Sequence, residues 1–316
     1  MSATAAVTAE VPPASILLPL ASGAGYVAAV LLIKRASAHG VGLWRTAFVS
    51  NIAMGLCFLP LWLLGGSDFV WTDLWQPAVG AALFFAGQVF TFMALAGDVS
   101  LATPVLGLKI LFVAAASALL VAEPVRASWW AAAALGTAAV AFLQTAPRSG
   151  PAAPALARAA SIPPAQHPRR TIVCAGLAAV CFAVTDVLVQ RFAPAWGTGR
   201  FLPWMFGLLA VFSFGLFPFF SAPLHAIPRA AWRWLVPGSV LLAAQAAGMA
   251  YTLGAHGRAT VANVLYSTRG LWSVLAVGLL GAWLGTAEEK KLPRAVFRRR
   301  LFGAGLMLAA IGLVVG

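Results

Sequence analysis

Charge is scarce in this chain. Of its 316 residues only 9% are Asp, Glu, Lys or Arg, and the acids number 8 against 21 Lys and Arg. A soluble globular domain carries about 25% charged residues, so one water-soluble core is a poor description of the sequence. The shortage of acids also removes most routes to catalysis. There is no acidic pair for a metal-dependent transferase, no His-Glu cluster, no nucleophile elbow and no glycine-rich phosphate loop. Asp68 and Asp73 share a loop but have no third ligand beside them. The expectation is therefore no enzyme, no catalytic residue, no metal and no cofactor. Cysteine is equally sparse: Cys57, Cys174 and Cys181 lie inside apolar segments without metal-type spacing and read as small hydrophobes. A cleavable leader is not expected either, since Met1 to Pro13 has no basic n-region.

What the chain has instead is apolar length, with 61% of its residues hydrophobic. A membrane span needs roughly 20 consecutive apolar residues, and about ten runs approach that length. They are Ser15 to Arg35, Val41 to Leu64, Pro77 to Ala96, Ser100 to Ala122, Ser128 to Gln144, Thr171 to Arg191, Phe201 to Phe220, Trp234 to Leu253, Ala259 to Leu284 and Leu301 to Val315. The fold class that follows is an all-α polytopic membrane protein in the lipid bilayer. Trp71, Trp75, Trp129, Trp130, Trp232 and Trp234 flank these runs, as interfacial aromatic belts do. The net charge of +13 invites nucleic acid as a partner. However, Arg and Lys collect between the apolar runs and form no basic face with interleaved aromatics, so none is expected.

Residues 147–170 are rich in Pro and Ala and carry Arg148, Arg158, Arg169 and Arg170, a composition that reads as a flexible linker. It divides the chain into residues 1–146 and 171–316. The two parts look related: one offset carries Trp44 onto Trp204, Gly55-Leu56 onto Gly215-Leu216 and Lys109 onto Arg269. Gln88 and Gln245 fall at comparable depth, and Arg35 and Arg191 close the first and sixth runs. An odd number of spans per unit forces opposite orientations, so two inverted five-helix repeats are expected, with a site at mid-bilayer where they meet. An even total keeps both termini on one side. Lys290, Lys291, Arg294, Arg298, Arg299 and Arg300, with Arg229, Arg233 and the linker arginines, outweigh the alternate loops, which favours termini outside a plasma (cytoplasmic) membrane.

Two cations stand out because they lie inside apolar runs. A lone ammonium or guanidinium in hydrocarbon costs several kcal/mol, with roughly 2.5–3.5 as the low figure. Lys109 is about nine residues into its run, roughly 13 Å at the helical rise, too deep to snorkel easily. Pro104, which lacks an N–H, should kink the helix ahead of it. Arg269 is as deep, and Tyr266 and Ser273 share its helical face. One reading has Lys109 and Arg269 facing each other across a cavity to bind an anion; the other has each locked in a structural ion pair. Asp186 is the acid well inside an apolar run, and it reads either as the counter-ion of Arg269 or as a carrier of a coupling proton. Gln88, Gln245, Asn263, Tyr26 and Tyr251 should point inward, since lipid cannot satisfy them; interhelical hydrogen bonding is the alternative for each.

The stretches Met93-Ala94-Leu95-Ala96-Gly97-Asp98-Val99-Ser100-Leu101-Ala102-Thr103-Pro104 and Leu119-Leu120-Val121-Ala122-Glu123-Pro124 resemble the third and fourth spans of EamA-type members of the drug/metabolite transporter superfamily. Trp44-Arg45-Thr46-Ala47-Phe48 is similar to the start of that branch's second span. The resemblance covers nearly the whole chain through loose motifs, and Gly285-Thr286 stands where the second-half glutamate would be. EamA-type proteins usually keep both termini in the cytoplasm, against the loop charge here. The resemblance implies a ten-helix secondary transporter working by alternating access. In the related sugar-phosphate translocators, basic residues of the fourth and ninth spans hold phosphate, and Lys109 and Arg269 resemble that placement. The expectation is transport of a small organic anion or zwitterionic metabolite. Lys109 and Arg269 would bind it, with Gln88, Asn263, Tyr266, Tyr26 and Gln245 shaping the pocket. An exporter of amino acids or cationic drugs, and a non-transporting scaffold or lipid-anion receptor using the basic loops, are the competing expectations.

Overall fold

Each apolar run picked out from the sequence is helical where it is described. The computed structural model describes residues 12–68, 70–95, 99–121, 125–143, 168–280 and 294–315. In chain order the helices are α1 (Pro13–Ser37), α2 (Leu43–Phe58), α3 (Trp75–Leu95), α4 (Val99–Gly107), α5 (Lys109–Leu120), α6 (Ala127–Leu143), α7 (Pro168–Trp196), α8 (Thr198–Phe212), α9 (Arg229–His256), α10 (Ala259–Tyr266), α11 (Arg269–Leu280) and α12 (Arg294–Val315). No strand occurs among the described residues. Among them, 7 helices are long and apolar enough to cross a membrane. The other runs are helical too. However, α6 has 17 residues, α10 and α11 are separated by a break, and α12 begins with Arg298, Arg299 and Arg300 close together.

Proline explains several boundaries. α2 runs on into a 3-10 turn over Leu59–Leu64, and α8 into another over Ser213–Phe219. Pro60 and Pro218 fall within these turns, and neither can supply the i to i−4 bond that would keep the helix regular. α9 starts at Arg229, ahead of the expected Trp234, because Pro228 provides a ready-made N-cap backbone.

Small residues set how closely the helices approach. α1 packs along α9, where an atom added to Gly248 would meet the Ser22 hydroxyl at 2.7 Å and one on Gly25 would meet Gln245 at 3.3 Å. α3 packs along α7 with the Phe182 ring pressed on Gly87, and α6 packs along α12 through Gly303. In lipid, where apolar burial drives association weakly, such close contact supplies the attraction. The pairing has a regular form. α1 meets α9, α10 and α11, while α7 meets α3, α4 and α5; α2 meets α8 and α9, while α8 meets α2 and α3. The largest core joins Met54, Phe58, Ala183, Val187, Met205, Phe206 and Met249, with Phe58 stacked on Phe206 at 3.8 Å. Residues 147–167 of the expected linker, with Asp98, Glu123, Gly281, Gly285, Lys290 and Lys291, lie outside the described residues, whereas Pro168, Arg169 and Arg170, expected as linker, are the first turn of α7.

Candidate functional site

Two helices are interrupted halfway, and each resumes on one of the two cations. Lys109 is the first residue of α5, and Arg269 the first of α11. Between α4 and α5 the Leu108 N–H donates to the Val105 carbonyl at 3.1 Å, a three-residue step in place of four. The interruption follows Pro104 by about one turn. Pro104 stays inside α4, and the backbone tightens where Gly107 lets Val140 of α6 come within 3.0 Å of where a side chain would be. Between α10 and α11 no proline or glycine interrupts the chain. There the Ser267 hydroxyl donates to the Val264 carbonyl and the Thr268 hydroxyl to the Leu265 carbonyl, taking acceptors from the helix and bending it.

Gly23 of α1 lies directly on that second break. A Cβ there would be 3.1 Å from the Tyr266 carbonyl oxygen and 3.3 Å from the Arg269 nitrogen. Gly23→Ala is therefore expected to destabilise by about 1–3 kcal/mol through overpacking. Gly176→Ala, where nothing lies within 4 Å, should cost nothing. Thermal unfolding of the two variants in detergent separates them, and equal curves would contradict the close approach of α1.

The breaks face a hollow with two lobes. One, of about 280 Å³, lies towards the C-terminal ends of α1 and α3, where Val30, Leu31 and Leu95 line it. The other, of about 290 Å³, lies towards the opposite ends of the same helices and is lined by successive turns of α3, α7 and α9. The α9 contribution, Leu242, Gln245, Ala246, Met249, Ala250 and Leu253, follows the three- and four-residue spacing of one helical face. Tyr26, Thr91, Leu106, Lys109, Tyr266 and Arg269 border both lobes. Both cations thus stand at the junction.

Their partners differ. Lys109 Nζ is 2.7 Å from Asp186 Oδ2, and Asn263 Nδ2 donates to the same oxygen at 2.8 Å. Phe182, one turn before Asp186 on α7, has its ring centre 5.9 Å from the ammonium. The structure thereby corrects the pairing expected from sequence: Asp186 is the partner of Lys109, not of Arg269. The reason is register, since α5 packs on α7 through Val113, Ala116, Ala183 and Val187, which carries Lys109 to the Asp186 turn. Arg269 instead lies between two aromatic rings, 4.9 Å from the Tyr26 centre and 4.8 Å from that of Tyr266. Desolvated cation–π contacts are worth about 2 kcal/mol each, enough to offset much of the cost of holding the guanidinium there. They leave its charge in place. Among the described residues no carboxylate pairs with Arg269, so the junction retains one positive charge.

Gln88 exchanges two 3.0 Å hydrogen bonds with Asn51. Gln245 accepts from the Tyr266 hydroxyl at 2.9 Å and donates to the Leu242 carbonyl. Lys109, Arg269, Asp186, Asn263, Tyr266, Tyr26, Gln88 and Gln245 therefore all border the hollow. Tyr251 does not. It packs edge-on against His256 at the end of α9, 6.1 Å away. Arg45, near the start of α2, is buried and donates to the Gly40 carbonyl at 3.0 Å. Sequence reasoning missed Met54, Met205 and Met249, which line the second lobe, because methionine in an apolar run carries no signal of its own.

No family model matches this chain, and no curated protein matches it. Solved structures do. One crystal structure of a protein superposes with TM-score 0.69 at 16% sequence identity, over 95% of this chain and 96% of its own. That likeness establishes a shared fold and nothing about activity.

Proposed function

We propose that this chain is a secondary transporter that moves a small organic anion or zwitterionic metabolite across a membrane by alternating access. The observation that carries the reading is Arg269: a half-buried cation with no carboxylate partner among the described residues, at the junction of two lobes that point to opposite ends of the helices. A site that can be reached from either end in turn needs such a junction, and broken helices at mid-depth are how transporter sites are commonly built. The half-helix starts at Lys109 and Arg269 add their own positive dipole ends to the side-chain charge. We read the helices as about ten spans in two inverted five-helix repeats. The exchange-symmetric pairing, in which α1 meets α9, α10 and α11 as α7 meets α3, α4 and α5, supports this. The drug/metabolite transporter superfamily, EamA branch, is the family proposed, and a cytoplasmic membrane with both termini outside is the location proposed from loop charge.

The test is a thermal-shift screen of the purified protein with organic phosphates, carboxylates and cationic drugs, repeated on Arg269→Gln. At least one anion should raise the melting temperature of the native protein and lose more than about tenfold in affinity in the variant, as one charge-assisted contact predicts. Stabilisation by cationic drugs alone, unchanged in Arg269→Gln, would establish the second reading, an exporter of amino acids or cationic drugs. The Lys109–Asp186 pair favours that second reading in one respect, because it already neutralises one of the two cations.

A further inference from the structure

The two lobes are chemically unequal, and their inequality limits what Arg269 can hold. The second lobe is walled by Met54, Met205, Met249, Phe84, Phe182 and Phe206, contributed by α2, α3, α7, α8 and α9. Methionine and phenylalanine offer polarisable, adaptable surface and no hydrogen bonds. Polar groups do line this lobe, and each already holds a partner, though with N–H groups or lone pairs to spare. Gln88 spends both amide atoms on Asn51. Gln245 is held by Tyr266 and by the Leu242 carbonyl. The Thr185 hydroxyl donates to the Cys181 carbonyl, and the Thr91 hydroxyl to that of Gly87, each at 2.8 Å. Asp186 has Lys109 and Asn263. A ligand with several hydroxyls would leave those that face the methionine and phenylalanine walls unpaired, at the full desolvation cost of each. A ligand with one charged end and an apolar remainder leaves none unpaired.

Resting on the reading of this hollow as a substrate site, we propose that its ligand is an amphipathic monoanion: a single carboxylate-type head on Arg269 with a compact, aromatic-sized apolar body in the methionine and phenylalanine lobe. Polyhydroxylated phosphate esters and small inorganic anions are excluded from that class. The volume agrees. A lobe of about 290 Å³ is about ten water volumes, room for a ring and a short chain. The guanidinium has five N–H donors, so its ring contacts leave donors for a carboxylate. The two tyrosine rings fix its position before the ligand arrives. Orientation follows as well. The head is at the junction and the body lies towards the C-terminal ends of α2, α7 and α9, the direction of Met54, Val189 and Leu253.

The experiment is calorimetric and thermal-shift titration of the full chain in detergent with 3-phenylpropionate, 3-phenylpropan-1-ol, acetate and glycerol 3-phosphate. Phenylpropionate should bind at least about tenfold tighter than acetate and glycerol 3-phosphate, since even one methylene in an apolar pocket discriminates by that much. It should also bind more tightly than the alcohol, and Arg269→Gln should erase the acid–alcohol difference. Met249→Ser, which leaves the head contact alone, should weaken phenylpropionate and leave acetate unchanged; it keeps the test meaningful if Arg269→Gln folds poorly. Binding of glycerol 3-phosphate as tight as that of phenylpropionate, lost in Arg269→Gln, overturns this substrate class while leaving the anion site standing. Binding of the alcohol as tight as that of the acid, unchanged in Arg269→Gln, overturns both. No binding by any of the four overturns the monoanion assignment.

Discussion

Asp186→Ala is expected to destabilise the protein by about 3–5 kcal/mol, the usual result of removing one partner from a buried ion pair. The loss comes mainly from what is left behind. Lys109 would keep its ammonium against Phe182 with no carboxylate at 2.7 Å, and Asn263 would lose its acceptor on Asp186. The side chains of Lys109 and Asp186 are 18% and 13% exposed, so solvent screening is limited. Lys109→Met alone should cost less, because Asp186 retains the Asn263 hydrogen bond. The double variant Lys109→Met, Asp186→Leu should recover most of the loss, since an apolar pair of similar volume is often as stable as a buried salt bridge. A separate double variant, Lys109→Met with Asp186→Ala, closes a double-mutant cycle with the native protein and the two single variants, read by denaturant unfolding. A coupling below about 1 kcal/mol, the range of exposed pairs, would mean that water fills the second lobe and screens the charges. It would remove the argument that Arg269 is the cation left to a ligand.

Gly199→Val should be still more damaging, with little protein surviving in the folded, monodisperse fraction. Gly199 is in the first turn of α8, where it crosses the 3-10 turn that ends α2. A Cβ there would lie 2.6 Å from the Leu61 carbonyl oxygen and closer still to that of Gly65. Both obstacles are backbone, so no rotamer change relieves them. Nearby, Ser67 is tied to the Trp196 carbonyl by its N–H at 2.9 Å and its hydroxyl at 3.1 Å, which keeps the turn from moving away. Overpacking usually costs about 1–3 kcal/mol and more when the neighbours are rigid, so even Gly199→Ala belongs at the upper end. Gly207→Ala, two turns along the same helix with nothing within 4 Å, is the control and should fold normally. Equal yields and melting temperatures for Gly199→Ala and Gly207→Ala would show that α2 and α8 do not cross as described.

Much of the candidate site could be read from residue order, and the parts that could not share a cause. Lys109 and Arg269 announced themselves because charge inside an apolar run has no neutral explanation. The inward direction of Gln88, Gln245, Asn263 and Tyr26 followed from what lipid cannot satisfy. Tyr251 met the same criterion and went elsewhere, because depth along a helix does not specify which face is turned inward. The break before Arg269 escaped notice because Ser267 and Thr268 bend a helix only when their hydroxyls turn back to the carbonyls, and the sequence is the same whether they do or not.

Composition and spacing, by themselves, determined that this chain is helical, apolar enough to enter a membrane, and burdened with two deep cations. Those conclusions need only solvation energies and helical periodicity, which are properties of segments. Which cation Asp186 neutralises, and what kind of wall surrounds the cation it leaves over, were decided by tertiary structure alone. They depend on the register of α5 against α7 and on side chains from five helices meeting in one place. Packing of small residues along helix contacts sets that register, and no single segment records it.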